Sequence, residues 1–377
     1  MRVDEIVMAF LVSFAVTFMA TPVVRKIALK FNIVDIPDNI RKTHKQVKPY
    51  LGGLAIFLGT IAGYILLQPK NEYMGEIILG AIIMIITGML DDIYNLKPYQ
   101  KLLGQLGAAI IVVNSGLIID KLTLPFFGIV QLGLFGVGIT ILWIILVSNA
   151  INLIDGLDGL ASGVSSIALI SILVIAFLDQ RMIVVMLCAI LVGANLGFLP
   201  YNYYPAKIFM GDTGALFLGY SIAIVSMLGL FKKVAFFSFI VPIIIIAIPI
   251  FDTTQAIIRR LMKKQSIATA DHKHIHYKLM EKGFSHKTSV LIIYVFSTFF
   301  GAMAIIFSKS TLLSSLVIFI IILLGIQLIG EISGMTFGNH QPILNWLRKF
   351  LPVDKWFLLL SKRQDQPATD LTRTKMK

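Results

Sequence analysis

Charge is what this sequence most lacks. Only 14% of its 377 residues are charged and 57% are hydrophobic, whereas a soluble domain carries about 25% charged residues. One core cannot hide that apolar excess, so a water-soluble form would expose large apolar patches. A soluble enzyme and a disordered tail are therefore excluded. Cysteine is nearly absent. Cys188 stands alone inside an apolar run, so no intrachain bridge and no disulfide scaffold can form. Nucleic-acid motifs and basic-aromatic stripes are also missing, so the net charge of +13 reads as lipid contact and positive-inside bias, with no nucleic-acid partner. No internal repeat is visible, which argues against an inverted-repeat transporter.

What is present is a series of long apolar runs. A spanning helix needs about 20 mostly apolar residues. Eleven segments qualify, near 6–24, 51–68, 77–90, 102–118, 132–150, 160–178, 183–200, 213–230, 234–252, 289–308 and 311–330. The first is too long, and lacks a small-residue cleavage site, for a removable signal peptide. Sorting the loops alternately leaves seven Lys and Arg on one side and 26 on the other. The richer side is cytoplasmic. The expectation is an all-α polytopic membrane protein with about eleven transmembrane helices, N-terminus outside and C-terminus cytoplasmic. Residues 1–330 form the membrane domain, and 331–377 a basic cytoplasmic tail. The inner loops fall near 25–50, 91–101, 151–159, 201–212 and 253–288. None is long enough to fold alone, so any chemistry must be built from short loops and helix ends. The outer segment 119–131 alternates and turns like a small hairpin.

The acids are one-sided. Asp91, Asp92, Asp155, Asp158, Asp212 and Asp252 all fall at cytoplasmic span ends, where ionisable groups point to function. Even-numbered spans start on that face, and their positive N-termini suit phosphate. Gly-rich segments feed them: Leu51-Gly52-Gly53, Asp155-Gly156-Leu157-Asp158-Gly159 and Gly211-Asp212-Thr213-Gly214. Asp91-Asp92 closes the third span at a negative dipole end, so the pair needs a compensating cation, either a divalent metal or a lysine. One of the two could instead act as base.

Asn149, Asn152, Asp155 and Asp158 recur every third residue. They can converge on one ligand only if the helix ends within the row. Asp212 reads either as an ordinary N-cap or as a metal ligand at a phosphate-binding helix start. In 253–288, Arg259, Arg260, His272, His274 and His276 allow three readings. Zinc lacks a spaced Cys or acidic fourth ligand. A basic lipid-facing loop is the plain reading. A clamp on a diphosphate uses Arg for charge and His for hydrogen bonds. The loop holding Arg41, His44 and Lys48 reads as an interfacial basic segment or as a lid contacting phosphate.

Taken together in chain order over roughly 36–290, these residues resemble one family, the polyprenyl-phosphate N-acetylhexosamine-1-phosphate transferases. The matching motifs are Arg41-Lys42-x-His44 with Pro49 and Gly52-Gly53; Asp91-Asp92 with Leu96, Pro98, Lys101 and Gln105; Asn149 to Gly159; Phe209 to Gly214; Pro249 to Thr253 with Arg259-Arg260; and Ala270-Asp271 before His274-Ile275-His276-Tyr277. The last motif resembles the WecA/TagO branch rather than the phospho-MurNAc-pentapeptide translocases. Tyr277 stands where the family pattern has its final His.

The resemblance implies transfer of an N-acetylhexosamine 1-phosphate, GlcNAc 1-phosphate foremost, from a UDP-sugar to undecaprenyl phosphate with release of UMP. It implies the bacterial plasma membrane as location, and a product that starts a cell-wall polymer such as teichoic acid. It also implies Mg²⁺, with Mn²⁺ as a substitute, held by Asn152 and Asp212. Asp91, Asp92, Asp155, Asp158 and His274 are then the catalytic set. Arg41, His44, Lys101, Asn149, Gly211, Arg260 and His276 hold substrate, and a homodimer is compatible. Asp91 and Asp92 face the lipid phosphate in this scheme. The competing class, a transporter, would place charges near the bilayer midplane.

Overall fold

The computed structural model describes residues 3–35, 47–124, 128–229, 239–266, 271, 273–335, 340–350 and 352. The apolar runs fold as helices in chain order. They are α1 (Val3–Lys30), α2 (Gly52–Leu67), α3 (Met74–Tyr94), α4 (Pro98–Asn114), α5 (Leu134–Ile154), α6 (Leu160–Leu178), α7 (Met182–Asn202), α8 (Gly211–Gly229), α9 (Ile240–Ile245), α10 (Ala247–Met262), α11 (Ile275–Glu281), α12 (His286–Phe307), α13 (Leu312–Ser333) and α14 (Pro342–Leu347). Among the described residues, eight helices are long and apolar enough to cross a bilayer. The chain is a polytopic, mostly helical membrane protein. Large apolar side chains remain exposed around the bundle, including Leu134, Phe135, Val295 and Leu313. Lipid rather than water suits them.

Three expected spans differ from the simple pattern. The second is the 16-residue apolar helix α2. The fourth is α4, whose Pro98 opens the helix at its first turn, where a missing N–H costs nothing. The ninth is broken: α9 stops at Ile245, and α10 resumes at Ala247 and runs on to Met262. Much of the expected 253–288 loop is therefore helix, as α10, α11 and the start of α12. The expected 25–50 loop likewise begins later, because α1 reaches Lys30. The segment expected as a tail, 331–377, is not wholly loop either, since α14 lies within it.

Two small hairpins complete the fold. β1 (Val34–Asp35) pairs antiparallel with β2 (Lys48–Pro49). β3 (Lys121–Leu124) pairs with β4 (Gly128–Gln131), with Lys121 opposite Gln131, so the expected outer hairpin forms.

Helix α8 is the axis of the molecule. Its spanning segment is 94% buried, and it packs against α2, α3, α5, α6 and α7. It is apolar all round, as a fully enclosed helix must be. Close approach at its first turn depends on missing side chains. A Cβ at Gly53 of α2 would lie 2.0 Å from the Gly214 nitrogen, and one at Gly88 of α3 would lie 2.5 Å from the Thr213 nitrogen. Small residues let helix backbones meet in this way. The start of α8 is thereby held against α2 and the last turns of α3.

Candidate active site

Helix direction gathers the polar residues at one end of the bundle. The C-terminal turns of α3 and α5 meet the N-terminal turns of α4 and α8 there. Lys101, one turn into α4, is the hub. Its ammonium donates to Asn152 Oδ1 at 2.9 Å, lies 3.1 Å from Asp91 Oδ2 and also donates to Asp212 Oδ2. Asn152 Nδ2 donates to the other Asp212 oxygen at 2.8 Å. Lys101 thus supplies a cation beside Asp91, the first member of the acidic pair.

Asp92 points to a different partner. Its Oδ1 accepts the Asp212 N–H at 2.8 Å. Its Oδ2 accepts the Thr213 N–H at 3.1 Å and the Thr213 hydroxyl at 2.6 Å. A carboxylate from the end of α3 thus caps the start of α8, where free N–H groups and positive dipole both favour an anion. Gly211 makes room for it. Its φ is +70°, and a Cβ there would stand 2.4 Å from Asp92 Oδ2. The α2 start is similarly occupied, with Gly52 and Gly53 N–H donating to the Phe209 and Met210 carbonyls. These two Gly-rich helix starts, read from sequence as phosphate sites, spend those N–H groups on protein.

The three-residue row does not converge on one ligand. Asn149 exchanges two hydrogen bonds with Gln105, at 2.7 and 3.2 Å. Asn152 faces Asp212 and Lys101. Asp155 follows the last residue of α5. Asp158 accepts from Lys48 Nζ at 3.0 Å and from the Ala206 N–H at 2.8 Å. Enclosure first, then the nearby Asp92 and Asp158 charges, push the Asp155 carboxyl up to about 7. It is poised to hold or release a proton near neutral pH.

The histidine segment closes one side. Asp252 of α10 is buried, sits 2.8 Å from His274 Nδ1 and accepts the Ile275 N–H at 2.9 Å. A carboxylate accepting from Nδ1–H leaves His274 Nε2 for another partner. His276 stacks parallel to His274 with ring centroids 5.8 Å apart, and its ring lies against Gly156. Burial holds His276 down to about 4, so it is neutral. Tyr277 lies 4.2 Å from the His276 ring, and burial and then Asp155 push its hydroxyl upward. Arg260 is buried on α10. Arg259 instead forks onto Asp271 at 2.6 and 3.0 Å. Arg41, His44 and His272 lie outside the described residues.

The cluster therefore brings together Asp91, Asp92, Lys101, Asn152 and Asp212, with Asp155 and the His274–Tyr277 turn beside it. Sequence reasoning missed Lys48 as the partner of Asp158, and Thr213 and Asp252 as anchors. Lys48 and Asp158 lie 110 positions apart, and no local pattern links them.

Oxygen donors suit a hard cation. Among the described residues, no three His, Cys, Asp or Glu side chains form a metal cage. The cradle around the Lys101 ammonium instead holds two carboxylates and one amide oxygen. That set fits Mg²⁺, which commonly takes one or two carboxylates and completes its shell with water and substrate phosphate.

Comparison with known proteins decides the family. The model for glycosyl transferase family 4 matches residues 74–230, which contain the whole cluster apart from the histidine turn. A probable undecaprenyl-phosphate N-acetylglucosaminyl 1-phosphate transferase of Bacillus subtilis is 46% identical over 93% of this chain and 98% of the relative. The chain belongs to this glycosyl transferase family. A decaprenyl-phosphate N-acetylglucosaminephosphotransferase of Mycolicibacterium smegmatis is 30% identical over 80% of the chain and 82% of that protein. An undecaprenyl-phosphate alpha-N-acetylglucosaminyl 1-phosphate transferase of Salmonella typhi is 28% identical over 87% and 89%. With these relatives the chain shares an enzymatic, transferase ancestry, and the transporter and muropeptide readings are not favoured.

Proposed function

We propose that this protein transfers GlcNAc 1-phosphate from UDP-GlcNAc to undecaprenyl phosphate, releasing UMP and leaving a lipid-linked diphosphosugar that initiates a cell-wall polymer. The observation that carries the reading is the Lys101 hub. One cation gathers Asp91, Asn152 and Asp212 at a helix-end site, in a chain aligned with its Bacillus relative along 98% of that protein. The reaction forms a bond from a lipid phosphate oxygen to the sugar-bearing phosphorus and breaks that phosphorus's bond to the UMP oxygen. Phosphoryl transfer of this kind needs positioning and charge neutralisation more than covalent catalysis, so direct attack suffices.

The site's residues divide that work. Lys101 is a compact point charge on a flexible stem, suited to pairing with a phosphate. Asp212 and Asn152, with Asp91 beside them, would hold Mg²⁺, which would neutralise diphosphate charge when bound. Asp92 acts on the reaction by fixing the backbone that carries Asp212. Asp155, poised near neutrality, accepts or returns a proton at the phosphate edge. His274, oriented by Asp252, presents Nε2 for the sugar diphosphate, and Arg260 adds positive charge. The positive-inside bias puts the active site on the cytoplasmic face of the bacterial membrane. With α2, α4 and the broken α9–α10 pair counted, the number of spans is eleven.

The test is purified protein with Mg²⁺, undecaprenyl phosphate and a panel of UDP-sugars, read as UMP release. UMP is expected from UDP-GlcNAc. Release from no UDP-N-acetylhexosamine would overturn the reading, and release from UDP-MurNAc-pentapeptide alone would return the muropeptide alternative.

A further inference from the structure

The histidine turn is fastened to α10 at two points, and only one of them touches a histidine. The first is Asp252, whose oxygens meet His274 Nδ1 at 2.8 Å and the Ile275 N–H at 2.9 Å. The second is Arg259. Its Nε and Nη2 both donate to Asp271 Oδ2, at 3.0 and 2.6 Å. Asp252 and Arg259 are seven residues apart on α10, so they share one face of the helix about two turns apart.

Asp271 passes its restraint along the chain. Its other oxygen, Oδ1, accepts the Lys273 N–H at 3.0 Å, the turn that an aspartate makes with the backbone two residues on. Lys273 leads directly into His274, whose extended backbone (φ −70°, ψ 156°) opens α11. The backbone is therefore pinned on both sides of His274: before it through Asp271, and after it through the Ile275 N–H. With both sides fixed, the direction of the imidazole is fixed too, and with it the aim of Nε2.

The electrostatics agree. Burial would raise the Asp271 carboxyl, but the Arg259 fork outweighs it and holds the group below the ordinary carboxylate range. Asp271 is therefore ionised near neutral pH, and the contact is a charge-assisted pair, which is short and geometrically defined. The two side chains are only 20% and 13% exposed, so salt screens them less than it would a surface pair.

We propose that Arg259 is a positioning residue: through Asp271 it sets the chain's approach to His274, and so the aim of His274 Nε2 at the sugar diphosphate, without touching substrate itself. The role rests on the transferase reading above, in which His274 faces the donor. It takes Arg259 out of the diphosphate clamp that the sequence allowed.

The kinetic test uses full-length protein in detergent with Mg²⁺, undecaprenyl phosphate and UDP-GlcNAc, and reads UMP release. Arg259→Ala and Asp271→Ala should each raise KM for UDP-GlcNAc about tenfold, within the roughly 100-fold that a misplacement of about 1 Å can cost. KM for undecaprenyl phosphate should stay unchanged. A merely structural defect would shrink the active fraction, lowering kcat and leaving both KM values alone. The double variant should be no worse than either single, because the two residues form one link, whereas independent contacts would multiply to about 100-fold. Arg259→Lys keeps the charge without the fork and should recover part of the loss. A raised KM in Arg259→Ala with none in Asp271→Ala would overturn the proposal and make Arg259 a direct substrate contact. Multiplied losses in the double variant, or unchanged KM in both singles, would overturn it as well.

Hydrogen exchange reads the same link without turnover. The Lys273 and Ile275 amides should exchange about tenfold faster in Arg259→Ala, while amides in the middle of α6 stay protected and report an intact fold. If wild-type protein releases UMP from no UDP-N-acetylhexosamine, the transferase reading falls and exchange judges the Arg259–Asp271 link by itself. Unaltered exchange at both amides would sink that link.

Discussion

Replacing Asp92 by Asn tests whether that carboxylate works by holding α8. In the structure its two oxygens accept three donors from the first turn of α8, at 2.6, 2.8 and 3.1 Å. Hydrogen bonds to a charged group contribute about 1.5–3 kcal/mol each. Asparagine keeps one carbonyl oxygen for the Asp212 N–H, but turns an amide donor toward the Thr213 N–H. Two bonds are weakened or lost, together with a charge–dipole attraction of up to about 1 kcal/mol. Removing an enclosed charge offsets part of this. The expected net is about 2 kcal/mol, a shift of about 30-fold in the local opening equilibrium, since each tenfold is about 1.36 kcal/mol. Hydrogen exchange in detergent is the assay. Amides of Asp212 and Thr213 should exchange about 30-fold faster in Asp92→Asn, while amides in the middle of α6 stay protected. Thr213→Val, which removes only the hydroxyl donor, should give a smaller change in the same direction. A variant that loses turnover with unaltered exchange at both amides would refute the capping role and point to direct action of Asp92 on substrate.

Three further outcomes follow from the geometry. Lys101→Met removes the cation shared by Asp91, Asn152 and Asp212 and should lower kcat at least about 100-fold, as loss of a charge-stabilising group does; Lys101→Arg should not restore it, because a planar fork cannot replace a compact ammonium, and UMP release measures both. Gly53→Ala and Gly88→Ala place a Cβ 2.0 and 2.5 Å from the α8 backbone and should each cost about 1–3 kcal/mol through overpacking, whereas Gly107→Ala, with nothing within 4 Å, should leave the melting temperature unchanged or raise it slightly. The pH dependence of stability should carry the mark of Asp155. Its carboxyl is raised to about 7 in the fold and lies near 3.9 unfolded, so the folded state binds the extra proton between those values and stability falls as pH rises through that window. Asp155→Asn should flatten melting profiles between about pH 4 and 7, and parallel profiles would count against the enclosed carboxyl.

The apolar runs were legible because a bilayer imposes length and composition on each span locally. Boundaries were less so. α1 runs on to Lys30, beyond the hydrophobic window, and α10 continues through Arg259 and Arg260 as an amphipathic helix past its apolar part. The break at Ile246 separates two segments that read as one run. The β3–β4 hairpin was visible in the alternation of its sequence.

At the site, the sequence indicated which acids matter by their one-sidedness and required a cation near Asp91 and Asp92. It left lysine and metal equally open. Glycines at 52, 53 and 211 read as phosphate cradles, yet their spatial role is to let α2 and Asp92 approach the start of α8. The Asn149–Asp158 row looked like one ligand set, yet Asn149 turns to Gln105, Asn152 to Lys101 and Asp212, and Asp158 to Lys48 as the helix ends.

The sequence by itself determined a membrane bundle, its charge asymmetry and the residue types available at one face, because hydrophobicity and charge act position by position. Only the tertiary structure decided the pairings. Asp92 reaches Thr213, Lys101 reaches Asn152 and Asp212, Asp158 reaches Lys48, and Asp252 reaches His274. Each joins residues far apart in the chain. A carboxylate's role depends on which donors surround it, and that is set by how antiparallel helices bring their opposite ends together.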